Sequence, residues 1–260
     1  MEALAVIFVI ALGLAFGSFL NVCITRLPRH ESVVKPRSRC PHCHAPIAAR
    51  DNIPLLSFLL LHGRCRACRQ PIAWRYPAVE FATATLWLLC WLRFGSSLHA
   101  LGMAAFAFIM LGLAGMDAET LRLPNVFTLP GILLGVIYSG AMCQHWLKCA
   151  LLSASWAITV AGVLLAISAF YWLLRRREGI GIGDAKLMAL IAAWLGPSQA
   201  VLVFVLGVLA TAACAVAVLV RRRRFDGNIP LPFGAFLCAA SLFAMFYGQP
   251  LIDWYLSFYR

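Results

Sequence analysis

Two aspartates are the residues of this chain best placed to do chemistry. Asp117 opens the run Asp117-Ala-Glu-Thr-Leu-Arg-Leu-Pro124-Asn125, and Asp184 follows the glycines of Gly179-Ile-Gly181-Ile-Gly183. Each stands at the edge of an apolar stretch, where an acidic side chain is costly and is usually kept for function. Two carboxylates brought close together cannot both ionise readily, so they hold one proton between them. The ionised member can draw a proton from water while the protonated member polarises a peptide carbonyl. The glycines before Asp184 are expected to adopt positive φ and to let the backbone approach a ligand. The run is neither a dinucleotide-binding nor a phosphate loop: no strand precedes it, and no Lys-Ser/Thr ending follows. Taken singly, Asp117 also reads as a solvated loop acid, and Asp184 as a helix cap with Lys186 nearby. Glu119 is a competing acid that reads as an ordinary loop residue.

A second constellation is made of cysteines. Cys40-Pro-His-Cys43 and Cys65-Arg-Ala-Cys68 are separated by 21 residues. Paired CxxC knuckles suit tetrahedral coordination of Zn2+ by thiolates. Four thiolates close the coordination shell, so the metal is expected to be structural, holding together a loop too small for its own core. His42 and His44 then fall to the surface. An iron–sulfur centre is the alternative, although nothing else in the chain points to electron transfer. The other six, Cys23, Cys90, Cys143, Cys149, Cys214 and Cys238, lie in or beside apolar segments. There they are expected as free thiols acting as small hydrophobes.

The elements that must position these groups are set by hydropathy. The chain is 62% hydrophobic and 12% charged over 260 residues, more apolar surface than a soluble domain can hide. An all-α polytopic membrane protein follows, with eight apolar spans at 3–23, 77–94, 98–116, 126–143, 149–174, 185–196, 199–220 and 232–249. The sixth is short and the fifth long, so tilt or partial spanning is expected. This divides the chain into a first transmembrane helix, 1–23, a polar metal-binding domain with the four knuckle cysteines, 24–76, and a transmembrane block, 77–260. Residues 1–23 lack a basic start and are followed by Arg26 and Arg29, which suits an uncleaved anchor with its N-terminus outside.

That orientation assigns loops 24–76, 117–125, 175–184 and 221–231 to the cytoplasm. With Lys186, they hold every one of the 22 Lys and Arg except Arg93, Lys148 and Arg260. The net charge of +12 is therefore a positive-inside asymmetry and implies no nucleic-acid partner. A reducing cytoplasm keeps the four knuckle cysteines free for metal. Asp117 ends the third span and Asp184 opens the sixth, two crossings apart and so on one face. Arg221–Arg224 reads as a topology anchor, and Trp254 and Tyr255 as interfacial belt residues.

These residues resemble the type 4 prepilin peptidases, membrane aspartic proteases that are often also N-methyltransferases. The matching stretches, in order, begin with Gly17-Ser-Phe-Leu-Asn21-Val, Arg26-Leu-Pro28 and Pro36-Arg-Ser-Arg-Cys40-Pro-His-Cys43. Asn52-Ile-Pro54, Gly63-Arg-Cys65-Arg-Ala-Cys68 and Arg75-Tyr-Pro77 with Glu80 complete the polar block. Asp117 with Pro124-Asn125, the GxGD run Gly181-Ile-Gly183-Asp184 with Lys186, and Pro232-Phe233-Gly234 follow. Two departures are a short segment between Arg26 and Pro36, and Ala235 where a proline is often found; neither touches an acid or a thiol.

The resemblance implies that Asp117 and Asp184 are the catalytic pair, with Gly181, Gly183 and Lys186 as the supporting loop. It implies type IV prepilins and the related pseudopilins as substrates, cut after a glycine on the cytoplasmic side of the bacterial inner membrane. It also implies methylation of the new N-terminal amine from S-adenosylmethionine, associated with the cysteine-bearing block; Gly17, Asn21, Arg75 and Glu80 are the methylation candidates. Gly17 and Asn21 also read as packing and hydrogen bonding between spans, and Glu80 as a partner for Arg75. A peptidase without methyltransferase activity is one alternative; a membrane metal or ion transporter and a non-catalytic assembly factor are others. Against transport stands the lack of an inverted repeat in the sequence.

Overall fold

A computed structural model describes residues 2–176, 181–222 and 231–259. The described chain is helical, with α1 (Glu2–Arg26), α2 (Leu56–Leu60), α3 (Arg75–Phe94), α4 (Leu98–Thr120) and α5 (Asn125–Ala141) followed by α6 (Trp146–Arg175), α7 (Ile182–Leu195), α8 (Pro197–Arg222) and α9 (Phe233–Ser257). The eight long helices coincide with the eight expected spans. Their ends differ by a few residues because helical hydrogen bonding runs on past the apolar stretch. Thus α4 continues to Thr120, and Asp117 lies inside its last turn. Five segments, in α1, α4, α6, α8 and α9, are long and apolar enough to cross a membrane, and α5 is a shorter apolar helix. Their open faces carry Leu, Ile, Val and Phe side chains, an apolar surface of the extent that a lipid bilayer covers. Two compact units, residues 1–112 and 113–260, divide within α4.

In the first unit α1 and α3 pack antiparallel along a seam of small residues. A Cβ on Gly13 would stand 2.6 Å from the Ala84 Cα, and one on Gly17 would stand 2.7 Å from the Glu80 Cα. Four residues further along, Asn21 Nδ2 donates to the Tyr76 carbonyl at 2.9 Å. Spacing of this kind lets two helix backbones close up without hydrophobic driving force between them. The polar residues between α1 and α3 form the cysteine-bearing block.

In the second unit α7 is the buried centre. From Ala185 to Trp194 nearly every side chain is closed off, which is how a 14-residue helix is held. Trp194 stacks on Tyr138, with centroids 4.9 Å apart, and donates Nε1–H to the Gly131 carbonyl at 2.8 Å. Ser153 on α6 donates to the Ala193 carbonyl at 2.9 Å.

One expectation fails in this unit. Cys143 and Cys149, expected as free thiols, form a disulfide across the α5–α6 turn, with Cα atoms 6.3 Å apart. The turn brings residues six apart in sequence to a separation that a disulfide bridges, and an apolar setting gives no sign of this. The other described cysteines are free. Disulfides persist in oxidising compartments, and this one closes the end of α5 remote from Asn125. In intact cells the pair is expected to resist a maleimide until a membrane-impermeant reductant is added. Labelling without reductant would overturn the disulfide, and labelling only after the membrane is breached would overturn the outward side that the orientation of the first span predicts for this turn.

Candidate functional site

The α4–α5 turn begins at Leu121, whose φ of 53° ends the helix while its N–H donates to the Asp117 carbonyl at 2.9 Å. Pro124, extended at φ −64° and ψ 135°, then starts α5. This path brings Leu123 to the starts of α7 and α9: its Cδ1 lies 3.5 Å from the Cβ position of Gly183 and 3.2 Å from that of Gly234.

Asp117 is only 5% exposed. Its Oδ2 accepts the Ala235 N–H at 2.8 Å, and the Gly234 N–H also bonds the carboxylate. Both amides belong to the first turn of α9, where unpaired donors and the helix dipole favour negative charge. A Cβ on Gly234 would lie 3.0 Å from Asp117 Oδ2, so Pro232-Phe233-Gly234 starts the helix and clears space for the acid. Gly234→Ala is therefore expected to displace the carboxylate and slow any reaction at it on the order of 10²-fold. Gly162→Ala on α6, where an added Cβ meets nothing within 4 Å, is the control. Equal turnover by the two variants would show that the Asp117 cradle is not needed.

Asp184 occupies the third position of α7, and its carboxylate bonds back to the Gly181 amide in the manner of a capping box. The expectation of positive φ in the glycine run is not met. Gly181 has φ −67°, and positive-φ glycines among the described residues are Gly63, Gly95 and Gly196. Gly181 serves by lacking a side chain: a Cβ there would stand 3.3 Å from Asp184 Oδ2. Gly179, Arg223 and Arg224 lie outside the described residues.

Leu123 links the two acids: its Cδ1 packs against Gly183, next to Asp184, and against Gly234, whose Cβ position touches Asp117 Oδ2, and the charge of Asp117 reaches Asp184. The structure thus brings together the two acids from α4 and α7. Lys186 does not pair with Asp184; its Nζ donates to Asn125 Oδ1 at 2.9 Å, tying the first turn of α7 to the start of α5. Glu119 is exposed. Leu123 and the Gly234 and Ala235 amides are members of the site that reading the sequence missed. The Pro232-Phe233-Gly234 resemblance marked the segment without disclosing its role.

In the polar block the two knuckles are one hairpin used twice. Cys40 N–H donates to the Ala45 carbonyl and His44 N–H to the Cys40 carbonyl, both at 3.0 Å. Cys65 and Arg69 repeat this with Gln70 and Cys65 at 2.9 and 3.0 Å. His44 and Arg69 take the same left-handed φ, 56° and 59°. The underlying repeat, Arg-Cys-x-x-Cys-x-x-Pro at Arg39–Pro46 and Arg64–Pro71, is the sequence signal that could have disclosed the duplication.

The four sulfurs of Cys40, Cys43, Cys65 and Cys68 all lie within 4.8 Å of one another. Cys40 and Cys68 are 3.8 Å apart, matching the edge of a tetrahedron built on metal–sulfur bonds of about 2.3 Å. Amides of Cys68 and Ala67 point at the Cys65 sulfur and bring its thiol down to about 7, while, against the Gln70 amide, burial and the neighbouring cysteine sulfurs push the Cys68 thiol up to about 11. The donor set fits a structural Zn2+. His42 and His44 are exposed.

Gly17, Asn21, Arg75 and Glu80 all fall on the α1–α3 seam. Glu80 is 8% exposed; its Oε2 accepts the Leu55 N–H at 2.8 Å, and the Ser18 hydroxyl also bonds it. Arg75 Nη2 donates to Thr25 Oγ1 at 2.9 Å, and its guanidinium lies 4.7 Å from the Tyr76 ring. These contacts hold the polar block to the ends of the two helices.

Comparison with known proteins agrees with this layout. Residues 11–94 match the Bacterial Peptidase A24 N-terminal domain, and residues 104–216 match the Type IV leader peptidase family. The Prepilin leader peptidase/N-methyltransferase of Burkholderia pseudomallei (strain 1026b) is 36% identical, covering 94% of this chain and 85% of the relative. The protein of the same name from Aeromonas hydrophila is 34% identical, over 94% and 91% of the two chains. That of Klebsiella pneumoniae is 41% identical over 73% and 84%. No solved structure matches the chain.

Proposed function

Since the chain belongs to the type IV leader peptidase family, we propose that it removes the basic leader of type IV prepilins and pseudopilins and then methylates the new N-terminal amine. The observation that carries the peptidase reading is the meeting of Asp117 and Asp184, each bonded by amides at the start of a helix. Asp117, whose carboxylate accepts two amide N–H bonds where that of Asp184 accepts one, is assigned the part of the base. Asp184 is assigned the part of the acid that carries the shared proton.

Asp117 takes a proton from water as the water oxygen bonds to the scissile carbonyl carbon, and Asp184 passes its proton to the carbonyl oxygen. The carbon–nitrogen bond then breaks, the amine leaves with the proton held by Asp117, and Asp184 recovers its own from the hydroxyl. The substrate's apolar helix stays in lipid while its leader junction reaches the membrane edge.

The methylating half is assigned to the cysteine-bearing block. S-adenosylmethionine, when bound, supplies an electrophilic methyl group for the amine. Cys40, Cys43, Cys65 and Cys68 would hold a Zn2+ ion, which would keep the block folded. Gly17, Asn21, Arg75 and Glu80 position the block on α1 and α3. We assign the enzyme to the bacterial inner membrane, with the acids and the block on the cytoplasmic side.

The test is reconstitution of the pure protein in a bilayer with a prepilin, with and without S-adenosylmethionine, read by intact mass. Leader loss plus one methyl group is expected. Leader loss alone reduces the reading to a peptidase, and an uncut prepilin refutes it.

A further inference from the structure

We propose that α2 is an interfacial anchor, its leucine face seated in the anionic leaflet of the membrane that α1 crosses. The depth follows from the contacts of α3. Because α3 runs antiparallel along α1, with Thr25 beside Arg75 and Gly13 beside Ala84, its first turn lies level with the last turn of α1. Both ends therefore meet the membrane boundary together, where Trp and Arg collect.

Two contacts fix α2 at that level. Leu55, the residue before α2, donates its N–H to Glu80 Oε2 at 2.8 Å. Glu80 is five residues into α3, roughly 7 Å along its axis from Arg75. The ring of Phe58, within α2, packs on Trp74, the residue before α3, with centroids 5.0 Å apart. A helix held to Trp74 and Glu80 cannot stand away from the bilayer in water.

The face left open by these contacts is apolar. Ser57 is buried, while Leu59 is 68% and Leu60 67% exposed, and Leu56 lies with them at helical spacing. The indole of Trp74 is 77% exposed beside them. Arg64 and Arg69 follow within the same block and are exposed, whereas Arg66 is engaged by Asp51 at 2.8 Å through Nε. An apolar face at the headgroup boundary followed by basic residues complements anionic lipid. It also continues the open apolar surface of α3, on which Phe81 is exposed. Lipid is the occupant this arrangement selects, in preference to a second protein.

The experiment uses the full chain in lipid nanodiscs containing phosphatidylglycerol, with the photo-crosslinker p-benzoylphenylalanine replacing Leu60, Leu59 or, as control, His42 on the first knuckle. Circular dichroism melting identifies folded variants, and either leucine position suffices. Illumination is expected to yield lipid adducts at 60 and 59 several-fold above those at 42. Arg64→Glu with Arg69→Glu is expected to erase the preference for phosphatidylglycerol over a neutral lipid. Adducts to a second protein chain, or equal lipid adducts at 42 and 60, would overturn the proposal. The readout does not involve turnover, so it stands apart from the catalytic reading.

Discussion

Asp117→Asn and Asp184→Asn are each expected to stop leader removal while the protein accumulates normally in the membrane. Asparagine matches the size of aspartate, and its carbonyl can still accept the Ala235 N–H that the acid accepts at 2.8 Å. The fold therefore keeps its contact, and only the proton carrier is lost. An amide neither takes a proton from water nor returns one to the departing amine. Residues acting as one unit lose most of their effect together, so each single variant should fall on the order of 10⁴-fold or more and the double variant little further. Glu119→Gln, at an exposed acid two residues away, should leave processing unchanged. The check is the mobility shift of a co-expressed prepilin. Normal maturation by either asparagine variant would exclude the paired-acid mechanism.

The second large effect is expected on the cysteine block. Cys40→Ser with Cys43→Ser removes one knuckle's two ligands. Structural Zn2+ contributes about 10–16 kcal/mol of apparent binding free energy in small thiolate domains, as much as the whole stability of a typical domain, roughly 5–15 kcal/mol. Few side chains of residues 39–71 are buried, so little else can hold the two hairpins together. Zinc content should fall to background, amide exchange across both hairpins should rise to open-chain rates, and methyl incorporation should fail. Leader cleavage should persist, because its acids lie in the second compact unit. An unchanged zinc content would rule out the four-thiolate assignment.

Much of this architecture was legible in the chain itself. Apolar runs of membrane length, the Lys and Arg asymmetry and the two CxxC pairs are patterns of neighbouring residues. They are set by local physics: the cost of exposing backbone in lipid, the positive-inside bias and the bite of two thiolates on one metal. Asp117 and Asp184 could be singled out because a carboxylate in such surroundings is conspicuous.

Tertiary structure decided how these groups are held. Asp117 is bonded by an amide 118 residues away, and every non-proline residue carries the same N–H, so no residue type announces that partner. Gly181 and Gly234 are glycines because a carboxylate oxygen occupies the space beside them, and not for a special φ. Cys143 and Cys149 differ from the other apolar-segment thiols only in the turn that joins them. The carboxylate of Glu80 goes to the Leu55 amide, a choice that composition leaves open. Hydropathy and spacing act along the chain and can be read there; backbone donors and excluded volume act between distant segments and exist only once the helices have packed.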